Sequence, residues 1–121
     1  MSDGRLLLPL ERAAFSQRTY SSRFSEEGDF SGRSVDEVAA ALRAGDLQLS
    51  DVSVGYVERG TNVLVLNTRS AIALELAGIP RSAWHGIDHS GDPFYEGLLT
   101  RRLARNRLTD VGILVVRRTG G

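Results

Sequence analysis

Residues 52–77, VSVGYVERGTNVLVLNTRSAIALELA, constrain the fold of this 121-residue chain more than any other segment. Apolar residues alternate with polar or small ones as far as Tyr56, turn-forming residues occupy positions 58–61, and residues 63–66 form a continuous apolar run. This pattern predicts two paired strands joined by a hairpin turn. The second strand runs directly into a short apolar helix that ends at Gly78. A small mixed sheet covered by helices, an α+β fold, is the expected result.

Four residues stand where the second strand becomes the helix: Asn67, Thr68, Arg69 and Ser70. The side-chain oxygens of Asn, Thr and Ser can cap the unpaired amides of a helix start. Free amides at a helix start, with an arginine beside them, form a site for anions. We therefore predict a phosphate-binding site at these four positions, with Arg69 as its principal cation. The structural alternative is that Arg69 pairs with Glu75 or another acidic residue.

Two further helices are indicated by their capping residues. Ser34 and Glu37 have the spacing of a capping box, and apolar residues follow at helical spacing. Asp92 and Pro93 suit the N-cap and first position of a later helix. We expect this helix to extend to about Asn106, which would end it in the left-handed conformation. The sequence thus predicts three helices packed on the sheet.

The two ends of the chain are less regular. Residues 1–14 have no clean period, so we interpret them as a linker remnant or as a tail that docks on the core through its leucines, and we place a single domain at residues 15–121. Residues 111–116, VGILVV, predict a last strand. The sequence contains no cysteine, which excludes disulfides, thiolate zinc sites and a cysteine nucleophile. We expect neither a membrane-spanning segment nor a signal peptide.

The charge of the chain is balanced overall but unevenly distributed. All 15 basic residues are arginine, and the C-terminal half carries an excess of them. Arg101, Arg102 and Arg105 are expected on one face of the last helix. Such a face can follow a nucleic-acid backbone, dock an acidic partner protein, or simply be solvated.

The only two histidines, His85 and His89, are candidates for general acid or base catalysis, with Asp88 or Asp92 available to orient one of them. The alternatives are packing or surface histidines, and N-capping for Asp92. Their spacing, in a predicted strand and loop, does not suit a metal site on a helix, so no metal is predicted. Arg23 lies in a segment rich in serine, glycine and aromatic residues and is a further phosphate-binding candidate, unless that loop is merely solvated.

The order of strand, Arg-Gly turn, strand, Asn-Thr-Arg-Ser and Ala-rich helix in residues 52–77 resembles the ParB/sulfiredoxin-like nucleotide-binding module. In that family the arginine of this motif contacts phosphate, a role that the resemblance transfers to Arg69 with Asn67, Thr68 and Ser70 beside it. The resemblance also implies a nucleotide ligand such as CTP. Sulfiredoxin activity is excluded because the chain has no cysteine. Asn67 replaces the glycine that opens the ParB motif.

A broader resemblance covers residues 24–118, including FSGRSVDEVAAALRAGDLQLSDVSVGYVERG and GDPFYE. This region looks like the C-terminal effector modules of bacterial polymorphic toxins. The resemblance implies interbacterial competition, delivery into a target cell as part of a larger secreted effector, and a cognate immunity protein. The expected activity is that of a nuclease. The alternatives are an enzyme that consumes NAD or another nucleotide, and a non-enzymatic module that docks an acidic partner.

Overall fold

The computed structural model describes residues 8–24 and 30–119, and its main sheet is built around the predicted hairpin. The sheet has four strands: β1 (Ala13–Phe15), β3 (Val54–Arg59), β4 (Asn62–Val65) and β5 (Gly86–Asp88). Their order is β1-β4-β3-β5, in which β3 and β4 are antiparallel and both edge strands are parallel to their neighbours. A separate parallel pair joins β2 (Thr19–Tyr20) to β6 (Arg117–Arg118). The α+β class and the mixed sheet predicted from the sequence are confirmed.

Three helices cover the two faces of the sheet: α1 (Val35–Ala44), α2 (Thr68–Leu76) and α3 (Pro93–Arg105). The side chains of Val63 and Val65 pack with α1 and α2, whereas Leu64 packs with Leu99 and Leu103 of α3. The apolar run of β4 is continuous because both faces of the strand are covered, so no polar alternation is needed.

The predicted helix starts of α1 and α3 are confirmed. Ser34 Oγ accepts from the Glu37 amide at 3.0 Å, and Glu37 Oε1 accepts from the Ser34 amide at 3.0 Å. Asp92 Oδ1 accepts from the Phe94 amide at 2.9 Å, with Pro93 in the first helical position. Both helices thus satisfy part of their unpaired first turn with their own side chains.

The end of α3 differs from the prediction by one residue. Asn106 has φ −89°, and the left-handed residue is Arg107, with φ +55°. The Asn106 side chain accepts from the Arg18 amide at 3.0 Å and donates to the Arg102 carbonyl at 2.8 Å. Asn106 therefore ties α3 to the segment after β1 instead of reversing the chain.

The prediction of a strand at residues 111–116 is wrong. Only Ile113 forms a bridge there, through two hydrogen bonds with Phe15 of β1. Gly112 has φ +70°, which turns the chain, and Val111, Leu114 and Val115 are 66%, 78% and 74% exposed. The β-branched composition does not produce a strand here because only Ile113 pairs with β1. Pairing resumes only at β6.

The described part of the predicted tail belongs to the folded unit. Pro9–Arg12 form a single 3₁₀ turn that leads into β1, and Leu10, Ala13 and Ala14 are buried. Docking on the core is therefore the alternative that fits residues 8–14, while residues 1–7 lie outside the described residues. Within residues 8–24 and 30–119, every helix is too short or too polar to cross a bilayer.

Candidate functional site

A cleft with a volume of about 540 Å³ opens at the point where β4 passes into α2. Its size lies in the range of sites that bind a small molecule or one unit of a polymer. Its walls come from the segment before β3, the first turn of α2, the loop after β5, α3, and three residues from the N-terminal part of the chain. The residues that line it are Gln17, Phe24, Phe30, Ser50, Asp51, Ser53, Gly55, Leu66, Asn67, Thr68, Arg69, Ser70, Ile87, His89, Tyr95, Leu98 and Arg102.

The start of α2 is not capped by the side chain that precedes it. Asn67 occupies the N-cap position but makes no capping hydrogen bond. Its Oδ1 instead accepts from the Gly55 amide at 2.7 Å, and its Nδ2 donates to the Ser53 carbonyl at 2.7 Å. The prediction that Asn67 caps the helix is therefore wrong, because its side chain holds the cleft wall beside β3. The first-turn amides of α2 remain as a partial positive charge in the cleft.

Thr68 and Ser70 are buried in the first turn of α2, at 3% and 7% exposure. The Thr68 hydroxyl has no hydrogen-bond partner among the described residues. Leaving a buried hydroxyl unpaired costs about 1–3 kcal/mol, so native structures rarely do it. Thr68 lines the cleft, so this buried hydroxyl lies in the wall of the candidate site.

Two guanidinium groups approach this helix start. Arg69 donates to the Arg23 carbonyl at 2.6 Å, and its guanidinium carbon lies 5.8 Å from the centre of the Phe24 ring. Arg102 donates to the Leu66 carbonyl. Burial, reinforced by repulsion from Arg105 and Arg69, lowers the pKa of Arg102. An arginine nevertheless stays protonated at neutral pH, so the cleft holds positive charge whose protein partners are neutral carbonyls.

The structural alternative for Arg69 is not what the fold adopts. Glu75 pairs with Arg81 instead, with Oε1 and Nη2 2.9 Å apart. Within residues 8–24 and 30–119, no carboxylate forms an ion pair with Arg69 or Arg102. Among the described residues, the charge of these two arginines is thus not neutralised by a carboxylate.

The three arginines predicted to share one face of α3 are separated. Arg102 turns inward and lines the cleft, whereas Arg101 and Arg105 are exposed beside a shallow depression that also includes Ala104. The prediction of one basic face is therefore wrong for Arg102. Its position, one turn after Leu98 and next to Leu103, brings it over the buried end of β4.

His89 is the histidine that reaches the cleft. Its ring stacks on Tyr95, with ring centres 3.7 Å apart and an angle of 18° between the planes. The ring also lies against Gly55, where an added Cβ would be 3.0 Å from His89 Cδ2. Because Asn67 accepts from the Gly55 amide, the imidazole packs against a residue that is hydrogen-bonded to the start of α2.

Three predicted residues lie elsewhere. His85 is exposed at the opposite end of β5, and its carbonyl accepts from the Val54 amide at 2.9 Å. Asp92 caps α3 and does not line the cleft. The Arg23 guanidinium donates to the Gly32 carbonyl at 2.8 Å, so only its backbone reaches Arg69.

Sequence reasoning missed Asp51, Ser53 and Tyr95 as residues of the cleft. A signal for the first two was present: in an antiparallel hairpin, the residues before the first strand lie beside those that follow the second. The segment before β3 therefore had to meet the start of α2. Nothing in the sequence distinguished Tyr95 from the other apolar residues of α3.

Neither a metal-binding cluster nor a similar known protein adds to this description of the cleft. Within the described ranges, no three or more His, Cys, Asp or Glu side chains come close enough together to hold a metal ion. No protein-family model, curated protein or solved structure matches this chain.

Proposed function

We propose that this chain is a toxin effector domain that binds a phosphate group at the start of α2 and cleaves nucleic acid. One observation carries the proposal: Arg69, Arg102 and the first turn of α2 line the same cleft as His89. That first turn has no side-chain cap at Asn67, and its Thr68 hydroxyl has no partner among the described residues. Guanidinium groups and helix-start amides are the groups that proteins use to hold phosphate.

These groups divide naturally between binding and proton transfer. Arg69 and Arg102 neutralise the negative charge that grows on the phosphate oxygens as a nucleophile attacks phosphorus. His89 accepts a proton from the attacking hydroxyl or water, or donates one to the leaving oxygen as the P–O bond breaks. The Tyr95 ring and Gly55 restrict the rotation of the imidazole, so its orientation is set before the substrate arrives.

The toxin assignment is supported by the sequence resemblance over residues 24–118. It entails delivery into a target cell and neutralisation by an immunity protein. Arg101 and Arg105 are exposed and outside the cleft, so they suit the backbone of a bound nucleic acid or an acidic immunity protein.

The test is expression of the wild-type chain and of Arg69→Ala in bacteria, scored for growth and for the integrity of DNA and RNA. We expect the wild type to arrest growth and degrade nucleic acid. Arg69→Ala should lower purified nuclease activity by about 10²-fold, since it removes a cation that stabilises the transition state. Arg117→Ala, which removes an exposed arginine of β6, serves as the charge-matched control and should retain activity. Equal nuclease activity in Arg69→Ala and wild type would refute the proposed site.

A second function is favoured by the aromatic part of the cleft. Phe24 and Phe30 both line it, edge to face with ring centres 5.1 Å apart, and they offer an apolar surface to a nucleobase. A toxin that consumes a free nucleotide such as NAD would use the same phosphate site. Growth arrest with intact nucleic acid and a falling nucleotide pool would favour this second function over the first.

A further inference from the structure

The cleft has a second polar wall whose chemistry is opposite to that of the α2 start. The 3₁₀ turn Leu49–Asp51 and the residues after it contribute Ser50, Asp51 and Ser53. Asp51 Oδ2 accepts from the Gln48 amide at 2.8 Å, which fixes the carboxylate. Its other oxygen has no hydrogen bond within the described part of the chain and is free to accept one.

The Asn67 side chain connects the α2 start to the wall that contains Asp51. Asn67 donates to the Ser53 carbonyl and accepts from the Gly55 amide, both at 2.7 Å, and is itself the residue before α2. Asp51 lies two residues before Ser53, whose carbonyl is hydrogen-bonded to the Asn67 side chain at the start of α2. A ligand in the cleft meets cations on one side and an acceptor on the other.

We propose that the phosphate bound at α2 is carried by a ribose, and that Asp51 accepts a hydrogen bond from the ribose 2′-hydroxyl. This inference rests on the proposed function and names its substrate as a ribonucleotide unit. A carboxylate only accepts hydrogen bonds and repels phosphate, so a ligand group that contacts Asp51 must be a hydrogen-bond donor. The 2′-hydroxyl is such a donor, and it is the group that DNA lacks.

The phosphate end of this arrangement has support of its own. Thr68 is only 3% exposed, and its hydroxyl has no partner among the described residues. That hydroxyl is a donor suited to a phosphate oxygen. With Arg69 and Arg102 it fixes the phosphate, which leaves the sugar to meet Asp51.

The experiment measures binding, so that a role of the 2′-hydroxyl as nucleophile does not confuse the result. Adenosine 3′,5′-bisphosphate and its 2′-deoxy analogue are titrated calorimetrically into the wild-type chain, Asp51→Asn and Asp46→Asn. An asparagine at position 51 keeps one oxygen for the Gln48 amide and turns a donor toward the cleft. Asp46→Asn removes an exposed carboxylate that does not line the cleft.

We expect the wild type and Asp46→Asn to bind the ribose form about tenfold more tightly than the deoxy form, the effect of one hydrogen bond to a charged group. Asp51→Asn should reduce that preference to less than about twofold. Equal binding of both forms by the wild type, or an unchanged preference in Asp51→Asn, would overturn the ribose inference while leaving the phosphate site intact. Failure of both forms to bind would overturn the proposed function as well.

A third titration separates RNA from a free ribonucleotide as the source of the ribose. Adenosine 5′-diphosphate carries both phosphates on one side of the sugar, as a free nucleotide does. Tighter binding of the 3′,5′-bisphosphate supports an RNA chain, because an internal nucleotide has phosphate on both sides. DNA as the natural substrate would appear as tighter binding of the deoxy form and would contradict the proposal.

Discussion

The starts of α2 and α3 lie on the same domain and are built in opposite ways. At α3, Asp92 accepts from the Phe94 amide and Glu96 accepts from the Gly91 amide at 2.9 Å. At α2, the Asn67 side chain turns away from the helix, and the Thr68 hydroxyl has no partner in the described part of the chain. One helix start is closed by its own side chains, and the other is left open toward a cleft.

The arginines beside the two helix starts differ in the same way. Arg59 lies against α3 and pairs with Glu96 at 3.0 Å and Asp110 at 3.1 Å. Arg69, in the first turn of α2, and Arg102, which approaches that turn from α3, donate to backbone carbonyls. Carboxylates neutralise the charge beside α3, whereas none within residues 8–24 and 30–119 pairs with the charge beside α2. Unsatisfied hydrogen bonds and unpaired charge reduce stability, and their coincidence at one place indicates a binding site.

The largest difference between the two helix starts should appear when the side chain of the N-cap residue is removed from each. Asn67→Ala leaves the Gly55 amide and the Ser53 carbonyl without their partner, which we expect to lower the free energy of unfolding by about 2 kcal/mol. It should also abolish detectable binding of adenosine 3′,5′-bisphosphate, because both cleft walls depend on this side chain. Urea unfolding and calorimetric titration measure the two effects.

Asp92→Ala is the matched variant at α3. Loss of its cap should cost about 1 kcal/mol of stability and leave ligand binding unchanged. If the two variants affected binding equally, the open and closed helix starts would not differ in function.

A smaller effect, of opposite sign, is expected at the unpaired hydroxyl. Thr68→Val keeps the shape of the side chain and removes a buried polar group that has no partner in the described structure, so stability should rise by about 1 kcal/mol. Binding of the bisphosphate should weaken by about tenfold. The control is Ser16→Ala, since the fully buried Ser16 hydroxyl donates to the Val65 carbonyl at 2.6 Å. That variant should lose about 1 kcal/mol, and a similar loss in Thr68→Val would mean that its hydroxyl is satisfied within the fold.

The fold was predictable where local pattern and tertiary contact agree. Ser34 and Glu37 can satisfy each other without help from the rest of the chain, and the hairpin is fixed by its apolar run and its turn at Gly60, with φ +61°. Residues 111–116 failed because a strand also needs a partner. Their composition suits a sheet, but only Ile113 finds one.

The site was predictable in part, for a similar reason. The position of Arg69 at the helix start follows from sequence order alone. The choice of His89 over His85, and the inward turn of Arg102, depend on which end of β5 and which face of α3 meet the hairpin. The role of Asn67 was wrong because the Gly55 amide, twelve residues away, competes for its side chain.

The smallest predicted effect concerns the closed start of α3 and its dependence on pH. The Gly91 amide, helped by Arg59, holds the pKa of Glu96 below its usual value. Because this pKa is lower in the folded chain than in the unfolded chain, the contribution to stability is complete above about pH 4.3. It is lost as the pH falls through the lower pKa of the folded state, since the unfolded chain then binds the extra proton. Glu96→Gln should lose this part of the acid sensitivity, by less than about 1 kcal/mol, because Glu96 and Arg59 are only partly buried. Thermal unfolding between about pH 3 and 6 measures it, with Asp46→Asn as the charge-matched control; equal pH dependence in both variants would show that Glu96 is not held in this way.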